Sequence, residues 1–299
     1  MCKTTLLQDC HCRVIVPATS TLYRQLESLA SHQRMVFFAG LPGTGKSLLI
    51  HQLAHLATAR SRHVHLLQWD VARPVFEAHP TARPYPVKNG VTHGIIRLAI
   101  GLWVRQAVGE WHRNHPGGEH LLIGETPFIG NRFIELAQSQ NDTTERLLSN
   151  PACVFVIPVP SSEVRRFIEA ERERRSDNPV HAREGEDAPP RVLRQLWQQL
   201  THTAPMLGIE RSNPSADLDY HPMLYMRVYK ALLRHRHSLA MRIDTILATP
   251  EMSAYDFVAI EHADLTPTSQ DVTAVIHTIE CRYSDLASLK QRLEQWYMV

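Results

Sequence analysis

The chain has 299 residues, of which 43% are hydrophobic and 21% are charged. This is ordinary globular usage, which excludes a wholly disordered chain and supplies enough apolar side chains for the core of one large α/β domain. The 32 basic and 30 acidic residues give a formal charge of +2, so the charge balance by itself predicts neither a nucleic-acid nor a membrane partner.

The sequence also bears on compartment and on metal binding. No apolar run reaches the roughly 20 residues needed to cross a bilayer, and residues 1–7 have no signal-peptide pattern. Five cysteines is an odd count for a secreted disulfide framework, so we expect a cytoplasmic protein with reduced thiols. Cys2, Cys10 and Cys12 lie near His11, but their spacing matches no zinc pattern, and we expect a flexible arm there.

In chain order, the apolar pattern alternates between helical and strand periods. Leu22, Leu26 and Leu29 predict a helix over 21–30, and the apolar run 35–39 predicts a buried strand. The later predicted elements are helix 46–60, strand 63–69, helix 91–111, strand 121–124, helix 131–139, strand 153–157, helix 161–175, helix 192–200, helix 217–236, strand 258–260, helix 268–281 and helix 285–297.

This alternation predicts an α/β fold in a single domain over residues 1–299. The fold expected is a doubly wound three-layer sandwich with a mainly parallel, five-stranded sheet. Residues 161–194 are rich in charge, and the polar, proline-bearing stretch 175–190 within them predicts a loop or mobile element. Residues 201–250 have no place in this scheme and are a candidate helical insertion.

The most informative motif is Gly-Leu-Pro-Gly-Thr-Gly-Lys-Ser at 40–47, which fits the P-loop pattern G-x-x-x-x-G-K-[ST]. Its glycines allow successive backbone N–H groups to converge on a phosphate. Lys46 would bring a positive charge to the β and γ phosphates, and Ser47 a hydroxyl to Mg²⁺. We therefore expect an ATP and Mg²⁺ site. The residues expected to hold the nucleotide are Gly40, Pro42, Gly43, Thr44, Gly45, Lys46, Ser47 and Leu48.

Second motifs separate the classes of P-loop protein. The N-K-x-D and D-x-x-G motifs of GTPases are absent, and so is the L-S-G-G-Q of ABC ATPases. The third predicted strand ends in the single acid Glu125, whereas an AAA-type motor would have an Asp-Glu pair. These three classes are therefore disfavoured.

The second predicted strand is followed by Asp70-Val71-Ala72-Arg73, a D-x-x-R element. Together with the 40–47 loop it resembles P-loop kinases of the nucleoside- and nucleotide-kinase-like superfamily, which includes polynucleotide 5′-kinases. The resemblance covers about residues 35–200 and a later tail. It implies that Asp70 accepts the proton of the attacking hydroxyl and that Arg73 holds an acceptor phosphate. It also implies that Glu125 contacts substrate or, with Ser47 and Asp70, the Mg²⁺ shell.

The stretch 161–194 carries eight arginines and eight acids among its 34 residues, so its charges cancel. Helical spacing predicts Glu171–Arg175 as an i,i+4 ion pair and turns Val164 toward a core. The resemblance implies that residues 161–194 are a lid that closes over ATP, with Arg172, Arg175 and Arg183 reaching the phosphates. The arginines expected to face outward are Arg165, Arg166, Arg172, Arg174 and Arg175.

These expectations combine into an ATP-dependent phosphotransferase, in which Lys46, Asp70, Arg172 and Arg175 are the catalytic residues. The acceptor is a hydroxyl or phosphate of unknown identity. A small metabolite or nucleotide is favoured over a nucleic acid, because the basic excess is weak. The alternatives are a polynucleotide 5′-kinase, an ATPase switch that acts on a protein partner, and a degenerate fold without turnover, which the intact Lys46 and Ser47 disfavour.

Overall fold

The computed structural model describes residues 14–88, 90–181, 184, 189–210, 219–247, 249, 253, 254 and 262–299. Within these residues, one parallel sheet of six strands crosses the protein in the order β5-β4-β1-β3-β2-β6. The strands are β1 (Met35–Ala39), β2 (His63–Leu67), β3 (His120–Thr126), β4 (Cys153–Pro160), β5 (Ser238–Ile243) and β6 (His262–Asp264).

Helices cover both faces of this sheet. The described α-helices are α1 (Thr21–His32), α2 (Lys46–Thr58), α3 (Trp69–Ala78), α4 (Gly94–Asn114), α5 (Glu145–Leu148), α6 (Ser162–Asp177), α7 (Pro190–Met206), α8 (Pro222–Leu232), α9 (Ser269–Arg282) and α10 (Leu286–Glu294). Single 3₁₀ turns lie at Pro80–Ala82 and Ile134–Leu136. In the described part of the chain, no helix is long and apolar enough to cross a membrane.

The central strand β1 separates two cores. Met35 and Phe37 pack on the α4 and α8 side, whereas Val36 and Phe38 pack on the α1 and α2 side. All five residues of β1 are buried, as a parallel strand covered on both faces requires. The predicted three layers follow from this alternation, and the strands predicted at 35–39, 63–69, 121–124 and 153–157 are confirmed as β1 to β4.

The prediction of five strands was wrong, because six are present in the described residues. Ser238–Ile243 lies within the candidate insertion 201–250 and forms the sheet edge beside β4. Most residues of β5 are partly or fully exposed, so this strand lacks the long apolar run by which the inner strands were recognised. β6 has only three residues, too few to show a period in the sequence, and pairs with β2. The predicted strand 258–260 lies outside the described residues.

The predicted helix 131–139 is also wrong. The chain there forms a loop and one 3₁₀ turn, because Phe128, Asn131 and Phe133 all adopt positive φ. Positive φ is costly for residues with a side chain and breaks a helix. Phe128 and Phe133 are fully buried, so their packing against the core overrides the local helical preference.

Candidate active site

The 40–47 loop joins the carboxyl end of β1 to the amino end of α2. Gly43 and Gly45 have φ of +76° and +82°, values that side chains disfavour, so the loop needs glycine at both positions. The buried hydroxyl of Thr44 donates to the Leu41 carbonyl at 2.8 Å and braces the turn from inside. A Cβ on Gly40 would lie 2.4 Å from the Tyr225 hydroxyl, so close packing against α8 also excludes a side chain there.

Lys46, the first residue of α2, is buried and has two partners. Its Nζ donates to the Leu41 carbonyl at 2.9 Å and lies 3.2 Å from Glu125 Oε1. Burial lowers the pKa of Lys46, and the negative charge of Glu125 opposes that shift. The ammonium is therefore held across the mouth of the loop by a carboxylate at the end of the neighbouring strand.

The two carboxylates of the site come from neighbouring strand ends. Glu125 is paired in register with Phe38 of β1, two residues before the loop. Asp70 is the second residue of α3, which follows β2 after one intervening residue. Although Asp70 is exposed within the cavity, the surrounding walls desolvate it, and with the charge of Glu125 they raise its pKa to about 6. A carboxyl group with this pKa is suited to exchange protons near neutral pH.

Three arginines line one side of the same cavity. Arg73 pairs with Glu77 at 2.9 Å, and Arg97 donates to the Gly130 carbonyl. The guanidinium of Arg132 has no hydrogen bond to any other described residue, and burial lowers its pKa while the charge of Asp70 opposes that shift. Of these three arginines, only Arg73 forms an ion pair with a carboxylate of another described residue, Glu77. This side of the cavity is therefore positively charged, which favours an anionic ligand.

Helix α6 forms the opposite wall and also holds the loop. Arg165 is only 2% exposed, so the expectation that it faces outward was wrong. Its Nη1 donates to the Pro42 carbonyl at 2.6 Å and its Nε bonds Glu169 at 2.7 Å. The guanidinium also lies over the Tyr220 ring at 5.5 Å. Arg165 therefore ties the loop to α6 through a backbone carbonyl.

Arg172 and Arg175, the two residues of α6 expected to reach the phosphates, both line the cavity. Arg172 lies near enough to Lys46 for the two charges to interact. Arg175 makes the predicted pair with Glu171 at 3.4 Å and a shorter one with Glu184 at 2.7 Å. It also donates to the Thr249 carbonyl at 3.3 Å, so it fastens α6 to the segment after β5. Arg183 lies outside the described residues.

These walls enclose a cavity of about 840 Å³, which is within the range of small-molecule sites, about 300 to 1,000 Å³. Gly40 and Thr44 belong to the same loop, but they pack on its inner side, away from the cavity. The predicted site residues that line the cavity are Pro42, Gly43, Gly45, Lys46, Ser47, Leu48, Asp70, Arg73, Glu125, Arg172 and Arg175. The apolar lining beside α6 includes Phe167, Ile168, Ile246 and Leu247.

Sequence reasoning assigned no role to Arg97 and turned Arg165 outward, and for Arg132 it indicated only that residues 126–133 could line the acceptor pocket. All three lie in segments close to the carboxyl edge of the sheet. Arg132 is in the loop after β3, and Arg165 is in the first turn of the helix after β4. Ligands of parallel α/β sheets bind at this edge, so position after a strand was a usable signal for Arg132 and Arg165. Arg97 follows a long connection, and only the fold brings it here.

Comparisons with models of protein families, with curated proteins and with solved structures find no match for this chain. The fold and the site therefore define the class by themselves. The protein is an α/β protein with a parallel sheet, which is compatible with the fold of P-loop nucleoside triphosphatases.

Proposed function

We propose that the protein is an ATP-dependent phosphotransferase whose acceptor is a small molecule that carries a negative charge. The observation that carries this proposal is the meeting of the glycine loop with Lys46, Asp70 and Glu125 in one cavity of about 840 Å³. A cradle of backbone N–H groups, a lysine and two carboxylates are the groups that phosphoryl transfer needs.

The two sides of the cavity suit two different substrates. Ile168, Ile246 and Leu247 pack against the α1 and α2 side of the sheet and offer an apolar surface to a purine ring. Arg97 belongs to α4 on the other face, beside Arg73 and Arg132. The 40–47 loop lies between them. A triphosphate in the loop would therefore point its γ phosphate toward the arginines, where an anionic acceptor would bind.

The oxygen ligands present fit Mg²⁺. Ser47, Asp70 and Glu125 all line the cavity and supply a hydroxyl and two carboxylates, the hard oxygen donors that this ion prefers. When bound, Mg²⁺ would neutralise phosphate charge. Lys46 would then leave Glu125 for the phosphate oxygens. Asp70 would accept the proton of the acceptor hydroxyl, and Arg172 would stabilise charge on the transferred group.

The first test is binding, followed by transfer. Calorimetry with pure folded protein and Mg²⁺ is expected to detect ATP, and labelled γ-phosphate should pass to members of a panel of phosphorylated sugars and nucleoside monophosphates. No uptake of ATP or GTP would overturn the proposal. Transfer only to a 5′-hydroxyl oligonucleotide would favour the polynucleotide kinase instead. Hydrolysis stimulated by a protein, without transfer to any of these acceptors, would favour the ATPase switch.

Asp70→Asn is expected to slow phosphoryl transfer by about 100- to 10,000-fold, the usual contribution of a positioned base. The affinity for ATP measured without Mg²⁺ should change little, because the variant keeps the loop and Lys46. The wild-type rate should rise as the pH increases toward about 6, because only ionised Asp70 accepts a proton and bound Mg²⁺ would lower its pKa from about 6. The rate of the variant should lack this rise. A near wild-type rate at pH 7 would remove Asp70 from the mechanism.

Arg132→Gln tests the charge of the acceptor. Losing a charged hydrogen-bond donor costs about 1.5 to 3 kcal/mol, so we expect kcat/KM for an anionic acceptor to fall by about 10- to 150-fold. ATP affinity should stay within about twofold. The matched control is Arg113→Gln, at an exposed position near the end of α4. An equal loss with a neutral acceptor, or no loss with an anionic one, would contradict the assignment.

A further inference from the structure

A cluster of imidazoles lies away from the cavity, on the α4 side of β2 and β3. His65 is in the middle of β2, and His120 is the first residue of β3. His115 follows the last turn of α4. His63 pairs with His120 in register, so His65 and His120 are two positions apart on adjacent strands. The cavity opens at the carboxyl ends of these strands, whereas His115 and His120 lie at their amino ends.

The ring nitrogens of the three histidines converge. His65 Nε2 is 3.1 Å from His120 Nδ1, and one ligand atom from each of the three rings lies within 4.8 Å of the others. Zn²⁺ bonds imidazole nitrogen at about 2.0 to 2.1 Å, which places tetrahedral ligands about 3.3 Å apart. The His65–His120 pair already has this separation. Separations of up to 4.8 Å exceed this value by at most about 1.5 Å, which ring rotation of the half-exposed His115 and His120 can supply.

In His115 and His120, the ring nitrogen that faces away from the cluster lies near a hydrogen-bond acceptor. His115 Nδ1 lies 2.9 Å from the Trp111 carbonyl, which can only accept, so Nδ1 carries the proton and Nε2 keeps its lone pair. His120 Nε2 lies 3.6 Å from Glu119 Oε1, which favours the tautomer with a free Nδ1. A backbone carbonyl or a carboxylate behind a ligating ring is the usual outer shell of a metal site, and His115 and His120 each have one.

One cation lies close to the cluster. The charge of Arg34 opposes a bound cation, but its guanidinium donates to the carbonyls of His115, Gly117 and His120. It therefore fixes the two segments that bring His115 and His120 together, and the Glu119 carboxylate offsets its charge.

We propose that His65, His115 and His120 bind one divalent late first-row transition-metal ion, with Zn²⁺ the best match and water as the fourth ligand. Three imidazole nitrogens suit zinc better than Mg²⁺ or Ca²⁺, which prefer oxygen. The ion would fasten the end of α4 to β2 and β3. The site does not depend on the function proposed for the cavity, because the two lie at different edges of the sheet.

The test is a Zn²⁺ titration of the metal-free full-length chain by calorimetry, with Co²⁺ absorption to report the ligand type. We expect one ion per chain, an imidazole-type Co²⁺ spectrum without thiolate bands, and a higher melting temperature with Zn²⁺. His115→Ala and His120→Ala, both at half-exposed positions, should each weaken binding by at least about 100-fold, more than the loss of an outer-shell group. His65→Phe keeps a ring in the buried position and should do the same.

Two controls separate this site from other ligands. His32→Ala removes an exposed histidine of α1 and should leave Zn²⁺ affinity unchanged. Replacing Cys2, Cys10 and Cys12 together with serine removes the other candidate ligands near the N-terminus and should also leave it unchanged. The proposal is overturned if no Zn²⁺ binds, if the cysteine variant loses the ion, or if folded His115→Ala keeps wild-type affinity.

Discussion

Lys46→Met is expected to weaken Mg·ATP binding by about 10- to 150-fold and to slow phosphoryl transfer by at least about 1,000-fold. The first figure is the loss of one charged hydrogen-bond donor, about 1.5 to 3 kcal/mol. The second is larger, because charge on the transferred group grows in the transition state, where a fixed cation acts in a site shielded from water. Calorimetry gives the affinity, and labelled γ-phosphate gives the rate.

The control follows from the pair that Lys46 makes with Glu125 at 3.2 Å. Removing the ammonium leaves Glu125 without this partner, so part of any loss could come from a destabilised strand end. The double variant Lys46→Met/Glu125→Gln removes both charges. It should regain the wild-type free energy of unfolding and remain inactive. A single variant that keeps more than a tenth of the wild-type transfer rate would exclude the proposed role of Lys46.

Arg236→Met is expected to lower the free energy of unfolding by about 3 to 5 kcal/mol, the cost of removing one partner from a buried ion pair. The Arg236 side chain is fully buried and bonds Glu145 at 2.7 Å. It also donates to the carbonyls of Leu136 and Gln138 at 2.7 and 2.6 Å. Without it, Glu145 loses one of its two arginine partners, the Leu136 carbonyl loses its guanidinium donor, and the Gln138 carbonyl keeps only Arg105. Urea denaturation of both proteins measures the difference.

The pH dependence distinguishes this cause from a simple packing defect. Burial alone would raise the pKa of Glu145, but hydrogen bonds from Arg236, the Gln140 amide and Arg105 outweigh it and bring the pKa to about 2. A lowered pKa stabilises the fold above the ordinary value of 4.5, and this stability is lost as the pH falls toward 2. The difference between variant and wild type should therefore shrink over that range.

Arg234→Met is the matched control, because Arg234 is exposed two residues away. Its effect should stay within about 0.5 kcal/mol, as for most surface substitutions. If Arg236→Met were equally mild, or if the difference did not change with pH, the buried network would not be the source of the stability.

How far the sequence could predict the site depended on local pattern. The 40–47 loop was predictable because its glycines and Lys46 are adjacent in the chain, and both flanking elements have a clear period. Asp70 and Glu125 were predictable because each follows the apolar run of its strand. Arg132 was placed by the sequence only in a stretch, 126–133, that could line the acceptor pocket, because a helical pattern concealed the positive φ of the buried phenylalanines in this loop.

Burial of charge was equally hidden. Arg165 follows a helical spacing that turns it away from Val164, yet it is buried because the Pro42 carbonyl and Glu169 satisfy its donors. The buried side chain of Glu135 packs against Gly101, where a larger residue would leave no room for it. Its carboxylate lies 3.7 Å from the Arg292 guanidinium, and burial raises its pKa to about 7. No local pattern predicts a partner that lies more than 100 residues away.

The sequence by itself determined the four inner strands, most of the helices around them and the position of the glycine loop, because these depend on periodicity and on residues adjacent in the chain. The tertiary structure alone decided the edge strands β5 and β6, the arginine wall and the three histidines that meet beside α4. Those features depend on contacts between distant segments. Their free energy comes from pairing and burial that no single stretch of chain contains.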